Sequence, residues 1–343
     1  MARILVTGGT GYIGSHTVVE LMQQGYDVTI VDNLSNSSVD VLDGISAIVG
    51  RRPEFANIDC NDYVSMEAVF KQYPDIVGVI HFAASKAVGE SVEKPLMYYR
   101  NNLGSLITLL EVMRRYHVYN IVFSSSCTVY GQPDKDHLPV DETAPIQKAL
   151  SPYGNTKQIN EDIIYDEAHA DSSLHATILR YFNPIGAHPS ALIGELPNGV
   201  PNNLLPFVTQ TAAGLRAELK VFGDDYNTPD GSCIRDYIYV VDLAKAHVKA
   251  VERMLAGIPT EQVEVFNLGT GRGLSVLEIV RDFVEATGVN VPYQIVGRRE
   301  GDIEKVWANP KKANEVLGWK ADTPVKDVLV SAWNWEKHLR NIQ

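Results

Sequence analysis

Short apolar runs alternate along the chain with longer stretches whose apolar residues recur every three or four positions. RILVTG, DVTIVDN, GVIHFAA, IVFSSS and ATILRYF each lie beside such a stretch. A strand buried on both faces reads as a continuous apolar run, whereas a half-exposed one alternates apolar with polar residues. These runs are continuous, so the pattern predicts an α/β fold on a Rossmann-type, doubly wound parallel sheet with helices on both faces. VIHFAASKAVGE and NIVFSSSCTVYG end their apolar runs in small and polar residues, at the strand ends where open sheets of this kind bind ligands. After about Asn183 the texture changes. PSALIGELPNGVPNN and GDDYNTPDGS, within residues 184–236, read as loops. The strand-then-helix pattern returns in VEVFNLGTG and VPYQIVG, and the chain closes in an amphipathic helix from about Val325 to Asn341. The predicted division is a sheet domain over 1–183, rejoined by segments around 237–270, and a smaller loop-rich domain over 184–343.

The first apolar run leads into TGGTGYIGSH, with Gly8, Gly11 and Gly14 spaced by three ahead of the helical stretch TVVELM. Glycine permits a tight turn and close approach of a phosphate, and a helix N-terminus offers free N–H groups and a positive dipole end. Asp32 closes the next run in TIVDN, near the spacing for a carboxylate on an adenosine ribose. Together these predict a dinucleotide site. An acid with no arginine beside it repels the 2'-phosphate of NADP, which favours NAD; the plainer reading of Asp32 is a cap for the loop that follows. Asp59, in FANIDCND, fits an adenine-edge contact or an ordinary loop aspartate.

Downstream, LSPYGNTKQINEDI sets Tyr153 four residues before Lys157, just after a proline suited to a helix's first turn. Positions i and i+4 share a helix face. A cation close to a phenol favours the phenolate, and the cationic ring of an oxidised nicotinamide acts in the same direction. Tyr153 thus becomes a candidate base, with Ser124, Ser125 and Ser126 at a strand end as candidates to position a substrate hydroxyl. Without the dinucleotide site, the same pair reads as a solvated surface contact.

Composition narrows the partners. The chain has 343 residues, 45% hydrophobic and 21% charged, which is enough for a full core in one large or two linked domains. Its net charge of -12 argues against a broad footprint for nucleic acid or an anionic membrane, so an anionic ligand needs a local cationic site. Cys60, Cys127 and Cys233 form no CxxC, and the nine histidines show no paired spacing. No metal site is expected, and a reducing compartment is. With no signal-like segment and no long apolar run, the expected location is the cytoplasm.

TGGTGYIGSHT, VDNLSNS, HFAASKAVGES, SSSCTVYG, SPYGNTK, RYFNPIGAHPS, PNNLLPFV, CIRDYIYVVDLA, FNLGTG and RREGD, in this order, resemble the extended short-chain dehydrogenase/reductase family over nearly the whole chain. The resemblance is to its UDP-galactose 4-epimerases in particular. It implies interconversion of UDP-galactose and UDP-glucose by transient oxidation at C4 with tightly bound NAD. The implied catalytic residues are Tyr153, Lys157 and Ser126. For NAD the resemblance implies Gly8, Gly11, Tyr12, Ile13, Gly14, Asp32, Asn33, Asp59, Phe82, Lys86, Asn101 and Tyr181 besides the catalytic pair. For the UDP-sugar it implies Asn183, Asn203, Leu204, Arg235, Arg299 and Asp302 besides Ser126 and Tyr153. Val306 falls where some relatives carry a bulky tyrosine and others a small residue, which implies room for N-acetylated UDP-sugars; the plainer reading is an apolar packing residue. A homodimer paired through helices such as LGSLITLLEVMRR or the last one is also implied. The rival enzyme reading is a nucleotide-sugar 4,6-dehydratase or decarboxylase, whose relatives carry an acid just before VYG, where Cys127 and Thr128 stand here. A non-catalytic NAD-binding protein is the rival from another class. NLGTGRGLSVLE resembles a second phosphate loop, but Ser275 and Glu278 spell a capping box, which predicts a structural turn into a helix.

Overall fold

The computed structural model describes residues 2–299 and 302–342. Its strands are β1 (Arg3–Thr7), β2 (Asp27–Asp32), β3 (Glu54–Asn57), β4 (Ile76–His81), β5 (Asn120–Ser126), β6 (His175–Tyr181), β7 (Asn183–Ile185), β8 (Leu219–Phe222), β9 (Ile234–Arg235), β10 (Tyr237–Tyr239), β11 (Val263–Leu268), β12 (Leu274–Ser275), β13 (Tyr293–Val296) and β14 (Lys305–Val306). The helices are α1 (Tyr12–Gln23), α2 (Val41–Val49), α3 (Tyr63–Gln72), α4 (Val88–Glu93), α5 (Pro95–Arg115), α6 (Pro152–Ala170), α7 (Leu204–Ala212), α8 (Val240–Leu255), α9 (Val276–Thr287) and α10 (Val325–Arg340).

Seven strands form one parallel sheet in the order β11-β6-β5-β4-β1-β2-β3. This bears out the predicted fold class. Its period of two sends Ile4 and Val6 of β1 to one face, where Val18, Val19 and Leu21 of α1 and Leu243, Ala246 and Val251 of α8 cover them. Leu5 goes to the other face with Val79, Ile121 and Phe123, beneath Phe70 of α3, Leu106 and Leu109 of α5 and Ile164 of α6. Because both faces are covered, consecutive positions of the strands are apolar, as in Ile4, Leu5 and Val6 of β1 and Val79 and Ile80 of β4.

The chain leaves this sheet after Tyr181 and comes back: β11 pairs with β6 from Val263↔Ala176 to Leu268↔Tyr181. The remaining strands lie in small sheets, β10-β7, β12-β9-β14 and β13-β8, packed with α7, α9 and α10 around a second core. VPYQIVG departs from the sequence expectation. Its residues Tyr293–Val296 pair with β8 in a two-stranded sheet, and among the described residues no helix follows directly. In α10 the apolar face, with Val328, Leu329, Ala332 and Trp333, is covered within the chain by this second core. Among the described residues no helix is long and apolar enough to cross a membrane, and no cluster of His, Cys, Asp and Glu could hold a metal ion.

Candidate active site

The carboxyl ends of β1, β2, β4 and β5 open onto one side of the sheet, and the sequence-predicted groups gather there. After β1 the backbone turns at Gly8 (φ 71°), where a Cβ would lie 2.8 Å from the Ala83 amide nitrogen. Only glycine fits that approach. Gly11 caps α1, whose first turn carries no acid, and the amides of Tyr12 and Ile13 find no protein acceptor among the described residues. Free donors at a helix start with no competing carboxylate fit the diphosphate of a dinucleotide. Asp32, at the end of β2, accepts from the Thr10 amide of the glycine loop (3.2 Å), from the Leu34 amide (2.9 Å) and from the Ser37 hydroxyl (3.3 Å). The capping reading of Asp32 is met through Leu34 and Ser37, and the same carboxylate also faces the glycine loop through Thr10. Beyond β3, Asp59 accepts from the Asn33 amide (3.4 Å) and from Asn61, which also donates to Asn101 (3.3 Å). Hydrogen bonds thereby string Asn33, Asp59 and Asn101 together along one edge of the cleft.

Ser151 caps α6 by accepting from the Gly154 amide (3.1 Å), Pro152 occupies the first turn, and Tyr153 and Lys157 follow on one face. Lys157 is 3% exposed. Its Nζ donates to the Ser124 carbonyl at 2.5 Å, 4.8 Å from the Phe123 ring and 5.9 Å from the Tyr153 ring. Burial raises the Tyr153 phenol well above its ordinary pKa, Tyr181 adds to this, and the Ser126 hydroxyl beside it pulls the other way. Burial also pushes Lys157 down to about 8, against the opposing pull of Glu161. Here the structure departs from the sequence expectation: the ammonium turns to a backbone carbonyl, and its effect on the phenol does not offset burial.

The three serines diverge because side chains alternate along β5. Ser126 ends the strand and caps the turn Cys127–Tyr130 by accepting from the Thr128 amide (3.2 Å). Ser124 bonds the Tyr181 hydroxyl, and Ser125 donates to Glu161 on the other side. Tyr181 packs in the cluster that holds Ile4 and Leu243, with its ring edge-on to His247. Phe82, after β4, lies 4.7 Å from the same histidine ring.

The segment after Tyr181 carries further expected groups. Asn183 comes first, with its amide bonded to the Asp236 carbonyl (3.0 Å). Lys86 and Asn203, expected at the cofactor and the substrate respectively, meet on one carboxylate: Glu195 Oε1 is 3.8 Å from Lys86 Nζ and 2.5 Å from Asn203 Nδ2. Leu204, next to Asn203, opens α7. Arg235 and Arg299 converge on Asp302 Oδ1 at 4.0 and 2.7 Å, and Arg299 lies 5.4 Å from the exposed ring of Phe222. Val306 pairs in register with Arg235 and is 4% exposed, in a cluster with Val129 and Phe182 against which Cys127 packs. It therefore adjoins Arg235 and the turn that follows Ser126. Sequence reasoning missed Glu195 and Phe222: the first lies in a stretch that reads as loop, the second at the end of a four-residue strand.

NLGTG is filled from within. The buried Asp236 carboxylate accepts from the Thr270 amide (2.9 Å) and hydroxyl (2.7 Å), the Gly271 amide (3.2 Å) and the Ala308 amide (3.1 Å). A side chain at Gly269 would collide with it. The Ser275–Glu278 capping box then starts α9. An internal anion takes the place that a phosphate would take.

A family model described as GDP-mannose 4,6 dehydratase matches residues 5–331. The curated UDP-glucose 4-epimerase of Yersinia enterocolitica is 50% identical over 334 residues, covering 97% of each chain. The chain belongs to the UDP-glucose 4-epimerase family. The bifunctional protein GAL10 of Pachysolen tannophilus is 52% identical over 98% of the chain, which spans 49% of that longer protein. Among solved structures, the UDP-glucose-4-epimerase from Stenotrophomonas maltophila, with bound NAD and formylated UDP-arabinopyranose, matches with a TM-score of 0.95 at 47% identity, covering 100% of both chains. Within this epimerase family the dehydratase alternative lacks its acid here, because Cys127 and Thr128 occupy the turn after Ser126.

Proposed function

We propose that the chain interconverts UDP-galactose and UDP-glucose by transient oxidation at C4, and that Tyr153, Ser126 and Lys157 carry the chemistry. C4 of a sugar bears no acidic hydrogen, so proton transfer alone does not invert it. Bound at the glycine loop, NAD supplies the hydride acceptor and donor for C4. Tyr153 takes the proton of the 4-hydroxyl and later returns it. Ser126 hydrogen-bonds the same oxygen and holds it against the phenol. Because burial raises the phenol, Lys157 alone leaves it protonated; a second positive charge in the cleft is what the phenolate form requires. The observation that carries this reading is the convergence of Tyr153, Lys157 and Ser126 at the carboxyl end of β5, on the side of the sheet where the glycine loop lies.

Arg235 and Arg299, drawn together by Asp302, supply the local cationic site for a sugar-nucleotide diphosphate in an otherwise acidic protein. Phe222 offers a base-stacking face beside them. These contacts anchor the nucleotide and leave the sugar free to turn over before the hydride returns. The reading extends to N-acetylated UDP-sugars, for which Val306 leaves more room than tyrosine. It extends also to a homodimer in the cytoplasm: Leu96, Met97 and Ile107 of α5 are exposed apolar side chains of the kind a second copy covers, and Cys60, Cys127 and Cys233 are unpaired thiols. Sedimentation of the purified protein tests the dimer. The decisive assay supplies UDP-galactose and NAD and looks for UDP-glucose without net NADH. A 4-keto-6-deoxy product instead marks a dehydratase, and no turnover marks a non-catalytic binder.

A further inference from the structure

Lys157 is a buried cation without a partner carboxylate at contact distance. Its hydrogen bond goes to the Ser124 carbonyl, and among the described residues it forms no ion pair. One turn further along α6 lies Glu161, 4% exposed and on the same helix face. That carboxylate is held firmly: Arg180 of β6 grips it through Nε (3.0 Å) and Nη2 (2.5 Å), and Ser125 of β5 donates to Oε1. Arg180 Nη1 donates to the Tyr130 hydroxyl (2.9 Å), which in turn donates to Asn267 (2.7 Å). None of these groups belongs to the glycine loop or to the proposed nucleotide contacts. A buried ion pair costs desolvation on both sides, and apolar packing of the same volume is often at least as stable.

We propose that Glu161, fixed by Arg180 and Ser125, is a positioning residue for the reaction, its carboxylate being the countercharge that keeps Lys157 an ammonium beside Tyr153. This rests on the assignment of Tyr153 and Lys157 made above. The titratable and charged groups around Lys157 are Tyr153 and Glu161 on α6, His81 on β4, and Arg180 and Tyr181 on β6. His81 is kept neutral by burial and by Lys157 itself, and burial keeps Tyr181 a neutral phenol. Of the two members of the ion pair, the carboxylate is the one that acts on Lys157, opposing the burial that brings the ammonium down to about 8. The guanidinium keeps the carboxylate ionised and in place. Without Glu161, burial acts unopposed, and Lys157 loses its proton at lower pH. Activity that depends on the ammonium therefore fails earlier as the pH rises.

The test is the pH profile of kcat with UDP-galactose for the wild type, Glu161→Gln, and Glu161→Gln combined with Arg180→Gln. The double variant removes both charges of the Glu161–Arg180 pair, so neither of these two is left as a buried ion without its partner. In both variants the alkaline limb should move down by about one pH unit, the size of a nearby-charge effect. Glu161→Asp, which keeps the charge, should bring the limb back toward wild type. A purely structural ion pair changes melting temperature and leaves the limb in place, and a limb coinciding with wild type in the folded variants overturns the proposal. Tyr153→Phe, run alongside, keeps the two claims apart. If it is inactive while the limb stays, only the role of Glu161 falls; if it retains wild-type turnover, the catalytic assignment itself is wrong.

Discussion

Replacing Asp236 with alanine tests whether the internal anion of NLGTG sets the proposed nucleotide contacts. The carboxylate satisfies four donors, but the Thr270 hydroxyl has a second acceptor in the Arg272 carbonyl (3.1 Å). Alanine therefore leaves the amides of Thr270, Gly271 and Ala308 without a protein acceptor. Ala308 is buried, Thr270 half-buried and Gly271 exposed; a buried unsatisfied donor costs about 1–3 kcal/mol and those that water can reach cost less, so the three together cost roughly 2–5 kcal/mol. Two effects pull this to the low end: water entering the vacated space, and relief from burying a carboxylate whose pKa burial has raised. A loss of about 2 kcal/mol at roughly 2–4 °C each lowers the melting temperature by about 4–8 °C. The damage should not stop at stability. Arg235 is the neighbouring residue, and Ala308 lies two positions from Val306, so both lose the clamp that fixes their backbones. UDP binding should weaken at least about fivefold, which is roughly 1 kcal/mol. Calorimetric melting and isothermal titration with UDP measure the two effects. A melting temperature unchanged within error refutes the hydrogen-bond accounting, and a lowered one with unchanged UDP affinity refutes the coupling to the arginines.

Tyr153→Phe should lower turnover by about 10²- to 10⁴-fold with NAD still bound, since only the proton acceptor is lost; retention of a tenth or more of the wild-type rate in a coupled UDP-glucose assay contradicts the assignment. Asp32→Ala should loosen the preference for NAD over NADP, read as the ratio of the two affinities, because it removes the charge opposing a 2'-phosphate. An unchanged ratio places Asp32 away from the ribose, as a cap for the 33–37 loop alone. Val306→Tyr should selectively abolish turnover of UDP-GlcNAc and UDP-GalNAc while sparing UDP-galactose, overpacking being worth about 1–3 kcal/mol against the larger group. Equal loss on both kinds of substrate shows that Val306 only packs.

The parts of this protein that could be read from its sequence are those governed by near neighbours. Continuous apolar runs marked six strands of the main sheet, from β1 to β11, and the three-residue glycine spacing and the i+4 tyrosine and lysine marked two stations along the cleft. What stayed hidden depends on distant contacts. β9, β12 and β14 are two residues long, too short to show any period, and yet they seat Arg235 beside Val306. VPYQIVG has the composition of a core strand but joins β8, a choice made by tertiary packing. Glu195 reaches Lys86 across 109 positions, and nothing local distinguishes it from any other loop glutamate. NLGTG has a phosphate loop's composition because it does bind an anion, which happens to be a side chain of the same chain.

The return of β11 to the main sheet has a consequence for how the protein is made. β6 waits for its neighbour until Leu268 has left the ribosome, and by then the whole stretch that carries Asn183, Asn203 and Arg235 has already been synthesised. Through that interval one edge of β6 offers unpaired amides and carbonyls, the kind of template on which foreign strands add. A nascent chain stalled in this window has a glycine loop but an unfinished sheet beneath it. Early NAD capture therefore does not protect it, and premature termination between α7 and β11 should yield aggregates rather than a smaller soluble binder.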